Sequence, residues 1–362
     1  MAEISDIAII GAGIVGCAIA RELAIRGLRV VVFDDRPIAG GATQASAGML
    51  APYVEAHEPG PLLALGVDSL AMYDDWIRAV AAESREEIEY RRAGTLEIAL
   101  DADQAAALRA AAEGDPGRRR WLAVDDVRQH HRALGATAGG VFVAAHGYVA
   151  PPELTEALAR AAERHSARFE ARLVRSIDRR SGAVRLETQA GAYDAASVVI
   201  AAGSWANSIE GITLPPIVPV RGQSLRLDWH GRPIDTIVWG PECYIVPRAD
   251  GSIYVGATVE DVGFDERNTA AGLRDLLDAA CELLPEAWGA TFVEARAGLR
   301  PRAPDGLPVI GPSSDAPEIV HALGHYRNGV LLAPITARLI ADWIVDRRRD
   351  PAFDTFAASR FS

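Results

Sequence analysis

The sequence predicts an α/β chain in which helix-linked parallel strands alternate with an antiparallel sheet. Three observations carry that expectation. An apolar run, Ile7 to Ile10, leads into Gly11-Ala12-Gly13-Ile14-Val15-Gly16; a helical stretch, 15–26, follows, then a second apolar run, Val30 to Phe33, ending in Asp34. Strand, glycine turn, helix and strand at this spacing make a βαβ unit. Similar material returns later: a helix over 153–165, a buried strand over 197–201 closed by Ala202-Gly203-Ser204-Trp205-Ala206, and a last long helix over 329–346. Between these lie short strands at 224–229, 236–239, 244–247 and 253–258 with turns between them, the pattern of an antiparallel sheet.

A length of 362 residues favours two domains, and the alternation makes the chain cross between them more than once. The expected division is 1–82, 148–218 and 296–362 for the Rossmann-type domain, and 83–147 with 219–295 for the antiparallel one. Pro215, Pro216 and Pro219 mark one crossing. The remaining elements follow from period and punctuation. Residues 61–83 are helical and 90–100 a strand pair; 102–112 form an Ala-rich helix and 115–120 a polar loop. A short helix starts near 125. Residues 139–149 are strand-like and stop at Pro151-Pro152. Strands follow at 171–177 and 184–188, a helix at 268–284, and 294–304 returns toward the first domain. The stretch 40–52 is too rich in Gly for a regular element.

The first motif has a specific physical reading. Gly11 permits a tight turn, Gly13 leaves the backbone open to a pyrophosphate, and Gly16 lets the helix pack close to the strand. The helix N-terminus then offers free N–H groups and a partial positive charge. Asp34 is placed to accept from a ribose diol, and an acid there disfavours a 2′-phosphate. A cofactor with a pyrophosphate and an adenine ribose is therefore expected.

Composition removes several function classes. All 37 basic residues are Arg, so Lys Schiff-base or Lys general-base chemistry is excluded. A net charge of −12 argues against a nucleic-acid partner, and the short runs Arg118 to Arg120 and Arg347 to Arg349 read as solvated helix ends. Cys17, Cys243 and Cys281 have neither metal nor disulfide spacing, which suits a reducing, cytoplasmic setting. The apolar stretch 7–20 lacks a basic leader and is not expected to be a signal peptide; no apolar run reaches 18 residues, so no membrane span is expected. His130, His131 and His165 sit on polar helical segments and are expected to be exposed. Ser46 and Ser204 have no His or Asp at triad spacing.

Several blocks together resemble FAD-dependent glycine oxidases of the thiamine-biosynthesis type, within the D-amino-acid oxidase superfamily. They are 41–52 (GATQASAGMLAP), Cys243-Tyr244-Ile245-Val246-Pro247-Arg248, Gly256-Ala257-Thr258, Gly298-Leu299-Arg300-Pro301, 305–311 (DGLPVIG) and 324–334 (GHYRNGVLLAP). The resemblance spans about 5 to 345. It implies a glutathione-reductase-like FAD-binding domain interleaved with an antiparallel substrate domain. It also implies non-covalent FAD, because Ala45 stands where covalent relatives carry a His and the late block has no Cys.

By the same resemblance, Ile14 and Val15 meet the pyrophosphate beside Gly11, Gly13 and Gly16, while Asp34 and Asp35 meet the ribose. Ala42, Thr43, Ala47, Gly48 and Met49 lie along the flavin, Val174 faces adenine, and Gly203 lies near the cofactor. His325, Tyr326, Arg327, Asn328, Gly329, Val330 and Leu331 close over the ring. Arg300 is the expected carboxylate clamp, since its planar fork grips both oxygens of a carboxylate. Tyr244 shares that carboxylate. Met49 and Ala51 line the pocket. Arg327 either stands beside the substrate or pairs with an acid. His57 and Glu58 fall in an entrance region, and Glu242 either holds an amine or lies on the surface.

The expected activity is oxidation of glycine or an N-substituted glycine. Hydride passes to flavin N5, and the imine is hydrolysed to glyoxylate plus ammonia or a primary amine. Dioxygen becomes hydrogen peroxide, and the route serves thiamine or a specialised biosynthesis. No catalytic residue is needed beyond the flavin. The partners are a small amino acid or N-carboxymethyl amine and O2, with no metal, and a homo-oligomer agrees with the resemblance. Three alternatives stay open at this point: a D-amino-acid dehydrogenase passing electrons to a quinone, a non-catalytic FAD-holding subunit, and an oxidase of modified RNA.

Overall fold

The computed structural model describes residues 5–55 and 59–361. Strand Ser5–Ile10 lies between Val30–Asp34 and Gly191–Ile200 in one parallel sheet, with Ile7 opposite Val30 and Ser197. Arg168–Ala171 extends it on one side; on the other, Gly191–Ile200 pairs in parallel with Ile319–Leu323 and antiparallel with the hairpin strand Ala183–Thr188. These central strands are apolar without alternation because both faces are covered. Ile7, Ile9, Val30, Val32 and Val199 point into one core; Ala8, Ile10, Val31, Phe33, Val198 and Ile200 point into the other.

The first core is closed by helices Ile14–Ile25, Pro61–Ser84, Pro151–Arg164 and Gly329–Asp346. Close approach at the first turn depends on missing side chains. Gly11 has φ +113°, and a Cβ there would sit 2.3 Å from the Ala201 carbonyl oxygen; one on Gly16 would sit 1.9 Å from that of Gly11. The last helix contains Pro334, which has no N–H to give Val330 four residues back. The Tyr73 hydroxyl donates to the Val330 carbonyl instead, and Ser69 Oγ donates to that of Leu331 at 2.6 Å.

The second sheet has eight strands, in the order 291–302, 218–228, 252–256, 244–247, 237–239, 95–99, 139–143 and 120–122. All its pairings are antiparallel except that of 237–239 with 95–99. Its core packs Leu225, Leu227, Ile245 and Val255 against Leu276 and Ala280 of helix Ala270–Leu283. Strand Thr291–Arg302 runs unbroken through residue 296, where the expected change of domain falls. A third, small sheet joins Met49–Leu50, Gly147–Val149 and Tyr90–Arg91.

Three local expectations are corrected. The stretch 40–52 is not irregular throughout: it holds a 3₁₀ turn at Ala42–Ala45 and the short strand Met49–Leu50, and helix Pro52–Glu55 begins at its end. Tertiary pairing with Tyr148 and Gly147 recruits the strand, which local propensity does not show. The polar loop ends one residue early, because Arg120–Leu122 pairs with Gly140 to Phe142. His131 is half-buried rather than exposed, while His165 is exposed. His57 and Glu58 lie outside the described residues.

Candidate active site

A cavity of about 460 Å³ begins at the carboxyl ends of the central parallel strands and runs to the antiparallel sheet. That is where open α/β sheets take their ligands. At the strand end it is lined by Gly11, Gly13, Ile14, Val15, Asp34 and Asp35. Asp34 is held in place: Oδ2 accepts the Ala12 N–H at 2.7 Å and Oδ1 accepts the Arg36 N–H at 2.9 Å. Burial raises its pKa above the usual carboxylate value, against those two bonds. The first helix has no side-chain cap at Gly13; Thr43 Oγ1 accepts the Ile14 N–H at 3.2 Å. Gly16 lies outside the lining and serves the helix–strand contact.

Val174 and Gly203 line the same end, with Leu173 and Trp205. Arg36 lays its guanidinium 3.8 Å from the Trp205 ring centroid and pairs with Glu266 at 2.8 and 3.0 Å. Ala42, Thr43, Ala47, Gly48 and Met49 form the next stretch of wall. Arg248 pins this stretch from the second sheet. Its guanidinium lies near the Tyr148 and Tyr254 rings and donates to the Ala47 carbonyl at 2.9 Å. Residues 325–331 form the opposite wall. His325 is buried and bonded to Thr336 Oγ1 at 3.1 Å, and burial drops its pKa to about 4, so the ring is neutral at pH 7. Helix Gly329–Asp346 starts here without a side-chain cap or an acid in its first turn.

The far end gathers Met49, Ala51, Glu55, Tyr244, Arg300 and Arg327. Arg300 and Tyr244 arrive from strands of the antiparallel sheet with two others between them, and two glycines make room for them. A Cβ on Gly222 would meet Arg300 Nη2 at 2.2 Å; one on Gly256 would meet the Tyr244 hydroxyl at 2.4 Å. Arg300 Nη1 donates to the Thr258 carbonyl at 2.9 Å and to that of Arg221 at 3.4 Å. It has no carboxylate partner among the described residues, and burial pulls its pKa below the ordinary guanidinium value. Burial also pushes the Tyr244 pKa up, keeping the hydroxyl protonated and able to donate. Arg327 is paired: Nε and Nη2 donate to the two Glu55 oxygens at 2.7 and 3.1 Å. Burial works against its charge, but Glu55 outweighs it and holds the pKa above the ordinary value.

The structure thus brings the expected cofactor and substrate contacts, except Gly16, to one cavity. Of the two readings of Arg327, the acid-paired one is realised, in a residue that also lines the cavity. Glu242 is exposed and outside the lining. Sequence reading missed Glu55, Arg36 and Trp205. Glu55 was three residues from the singled-out Pro52, but nothing local announces a partner 272 positions away. Ser204 is no nucleophile: its Oγ donates to the Leu299 carbonyl at 2.9 Å. Cys17 is a buried thiol whose pKa burial raises. No cluster of metal-ligating side chains occurs among the described residues.

The donor set suits a flavin dinucleotide. An added Cβ on Gly13 would meet only Thr43 Oγ1, at 3.5 Å, so the backbone there lies open. Two helix starts without a cap from their own N-cap side chain face the cavity, one near Asp34 and one beside residues 325–328. The chain belongs to the FAD dependent oxidoreductase family (DAO), which it matches over residues 6–343, and its cofactor is FAD. More particularly, it is 34% identical to the glycine oxidase of Geobacillus kaustophilus, covering 94% of that protein. The crystal structure of glycine oxidase from that organism superposes with a TM-score of 0.93 at 33% identity, covering 98% of each chain. Iminodiacetate oxidase from Chelativorans superposes at 0.88 with 25% identity, covering 97% of this chain and 98% of that one. The bifunctional protein ThiO/ThiG of Synechocystis is 36% identical over all of this chain but 55% of its own length, so the chain spans about half of that relative. No helix among the described residues is long and apolar enough to cross a membrane.

Proposed function

We propose that the chain is an oxidase of glycine or an N-substituted glycine. The observation that carries this is Arg300: a guanidinium without an acid partner among the described residues, lining the end of the cavity remote from the dinucleotide turn. A buried cation without a counter-ion is costly, and a substrate carboxylate relieves that cost through charge-assisted, bidentate bonds. Tyr244 adds a neutral hydroxyl donor to the same carboxylate. Met49 and Ala51 present small or flexible apolar surface to the α-carbon and amine.

Non-covalently bound FAD supplies a two-electron acceptor. The residues that would hold its ring are Ala42, Thr43, Ala47, Gly48, Met49 and 325–331, and no cysteine lines the cavity among the described residues. The uncapped start of helix Gly329–Asp346 favours negative charge beside that wall. Loss of the α-hydrogen with its electron pair from the neutral amine leaves an iminium, and water converts it to glyoxylate plus ammonium or a protonated primary amine. Dioxygen takes up the two electrons with two protons and leaves as hydrogen peroxide. The similarity to ThiO/ThiG and to glycine oxidases supports glycine itself, with a place in thiamine formation. We divide the chain, on this reading, into the discontinuous FAD domain 1–82, 148–218 and 296–362 and the substrate domain 83–147 and 219–295.

The test mixes the yellow protein without oxygen with glycine, sarcosine, D-alanine, D-proline and longer N-carboxymethyl amines. Bleaching by glycine or an N-alkylglycine, with peroxide on admitting air, is the expected result. Bleaching without peroxide would indicate a dehydrogenase, and no bleaching by any amine would overturn the assignment.

A further inference from the structure

Two guanidiniums line the substrate end of the cavity, yet only one is available to an anion. Arg327 is gripped by both oxygens of Glu55, with the Trp239 ring centroid 5.6 Å from its Cζ. The pair is well shielded: the Glu55 side chain is 12% exposed and that of Arg327 27%. Among the described residues, Arg300 has only backbone carbonyls as partners. Tyr244 is neutral, and Met49 and Ala51 carry no charge. The other charged groups of the lining, Asp34, Asp35, Arg36 and Arg172, belong to the strand end with Val174 and Trp205. Among the described residues, two positive groups and one negative one leave a formal charge of one at the substrate end. Charges taken out of water must be matched one for one.

We propose that Glu55 sets the charge of the substrate: by neutralising Arg327 it admits one carboxylate and an uncharged N-substituent, and it rejects amines that carry a second carboxylate. This rests on Arg300 holding the first carboxylate. Glycine and N-alkylglycines, with the amine neutral, bring one negative charge and balance Arg300. Iminodiacetate brings two and leaves one buried without a partner. Glu55 therefore acts as a specificity residue through Arg327, without touching the reacting carbon.

The FAD-loaded protein is titrated with acetate and with malonate, which cannot be oxidised, and the shift in flavin absorbance gives each Kd. Acetate should bind at least about tenfold more tightly than malonate, and Glu55→Gln should reverse that order by a similar factor, each tenfold step being about 1.4 kcal/mol. Glu55→Asp keeps the charge and should keep the preference for acetate. Equal or tighter binding of malonate by the unsubstituted protein overturns the proposal. So does a preference that Glu55→Gln leaves unmoved while FAD stays bound. If Glu55→Gln loses FAD, the titration of the unsubstituted protein decides. Absence of any shift with either anion overturns the Arg300 clamp as well, which separates that failure from a failure of Glu55 alone.

Discussion

Replacing Tyr73 by Phe should destabilise the protein through a carbonyl that the helix's own N–H four residues on cannot serve. The fourth residue after Val330 is Pro334, so the helix cannot supply the usual N–H, and the Tyr73 hydroxyl fills the gap. Tyr73 and Val330 are both buried. A buried acceptor left without a donor costs about 1–3 kcal/mol. Pro334→Ala restores an N–H at the right place, so in that background Tyr73→Phe should cost less than about 1 kcal/mol, the range of an ordinary net hydrogen bond. The double-mutant cycle should thus show a coupling of about 1–2 kcal/mol. Denaturant unfolding of the four FAD-saturated proteins measures it. FAD affinity by fluorescence gives a second readout, because Val330 and Leu331 line the cavity. Ser69→Ala is the control: its acceptor, Leu331, is followed four residues later by Ile335, which has an N–H, so its cost should not depend on residue 334. Equal costs of Tyr73→Phe in both backgrounds would refute the reasoning.

Three further outcomes are expected. Arg300→Ala should raise KM for glycine by several hundredfold while FAD stays bound, since losing one partner of a buried charged contact costs about 2–5 kcal/mol; an unchanged KM removes the clamp. Gly13→Ala should leave the fold intact, because its Cβ meets only Thr43 Oγ1 at 3.5 Å, yet weaken FAD binding, whereas Gly16→Ala should destabilise the fold itself, its Cβ lying 1.9 Å from the Gly11 carbonyl; equal effects on fold and FAD in both variants count against the turn as the pyrophosphate site. Acidification below pH 6.5 should lower Tm, because burial depresses His321 and His325 to about 4 and His146 to about 3. Between those values and 6.5 the unfolded chain binds more protons, so stability is present above pH 6.5 and declines as pH falls, by up to about 1.4 kcal/mol per pH unit for each histidine. A flat Tm from pH 7 to 5, or a slope unaltered in His325→Gln, contradicts this.

Much of the molecule was legible in the sequence because its signals are local. The turn Gly11 to Gly16, the apolar strands on either side and Asp34 lie within 30 residues of one another, and the family blocks are contiguous. The long helices announced themselves by period, as at 61–84 and 329–346. Short strands did so poorly: Met49–Leu50 and Arg120–Leu122 exist only because a neighbour offers its edge. The burial of the histidines carries no local mark either: His321 lies within strand Ile319–Leu323, and His325 directly follows Gly324.

Residue types and their spacing marked the first turn as the place for a dinucleotide and an arginine fork as available to a carboxylate, and excluded a lysine base. Only the tertiary structure decided how charge is shared at the other end of the cavity. Whether an arginine is free or spent depends on what lies within a few ångströms, and the fold brings Glu55 to Arg327 across 272 positions while leaving Arg300, among the described residues, to backbone carbonyls alone. Coulomb interaction falls with distance in space and takes no account of distance along the chain.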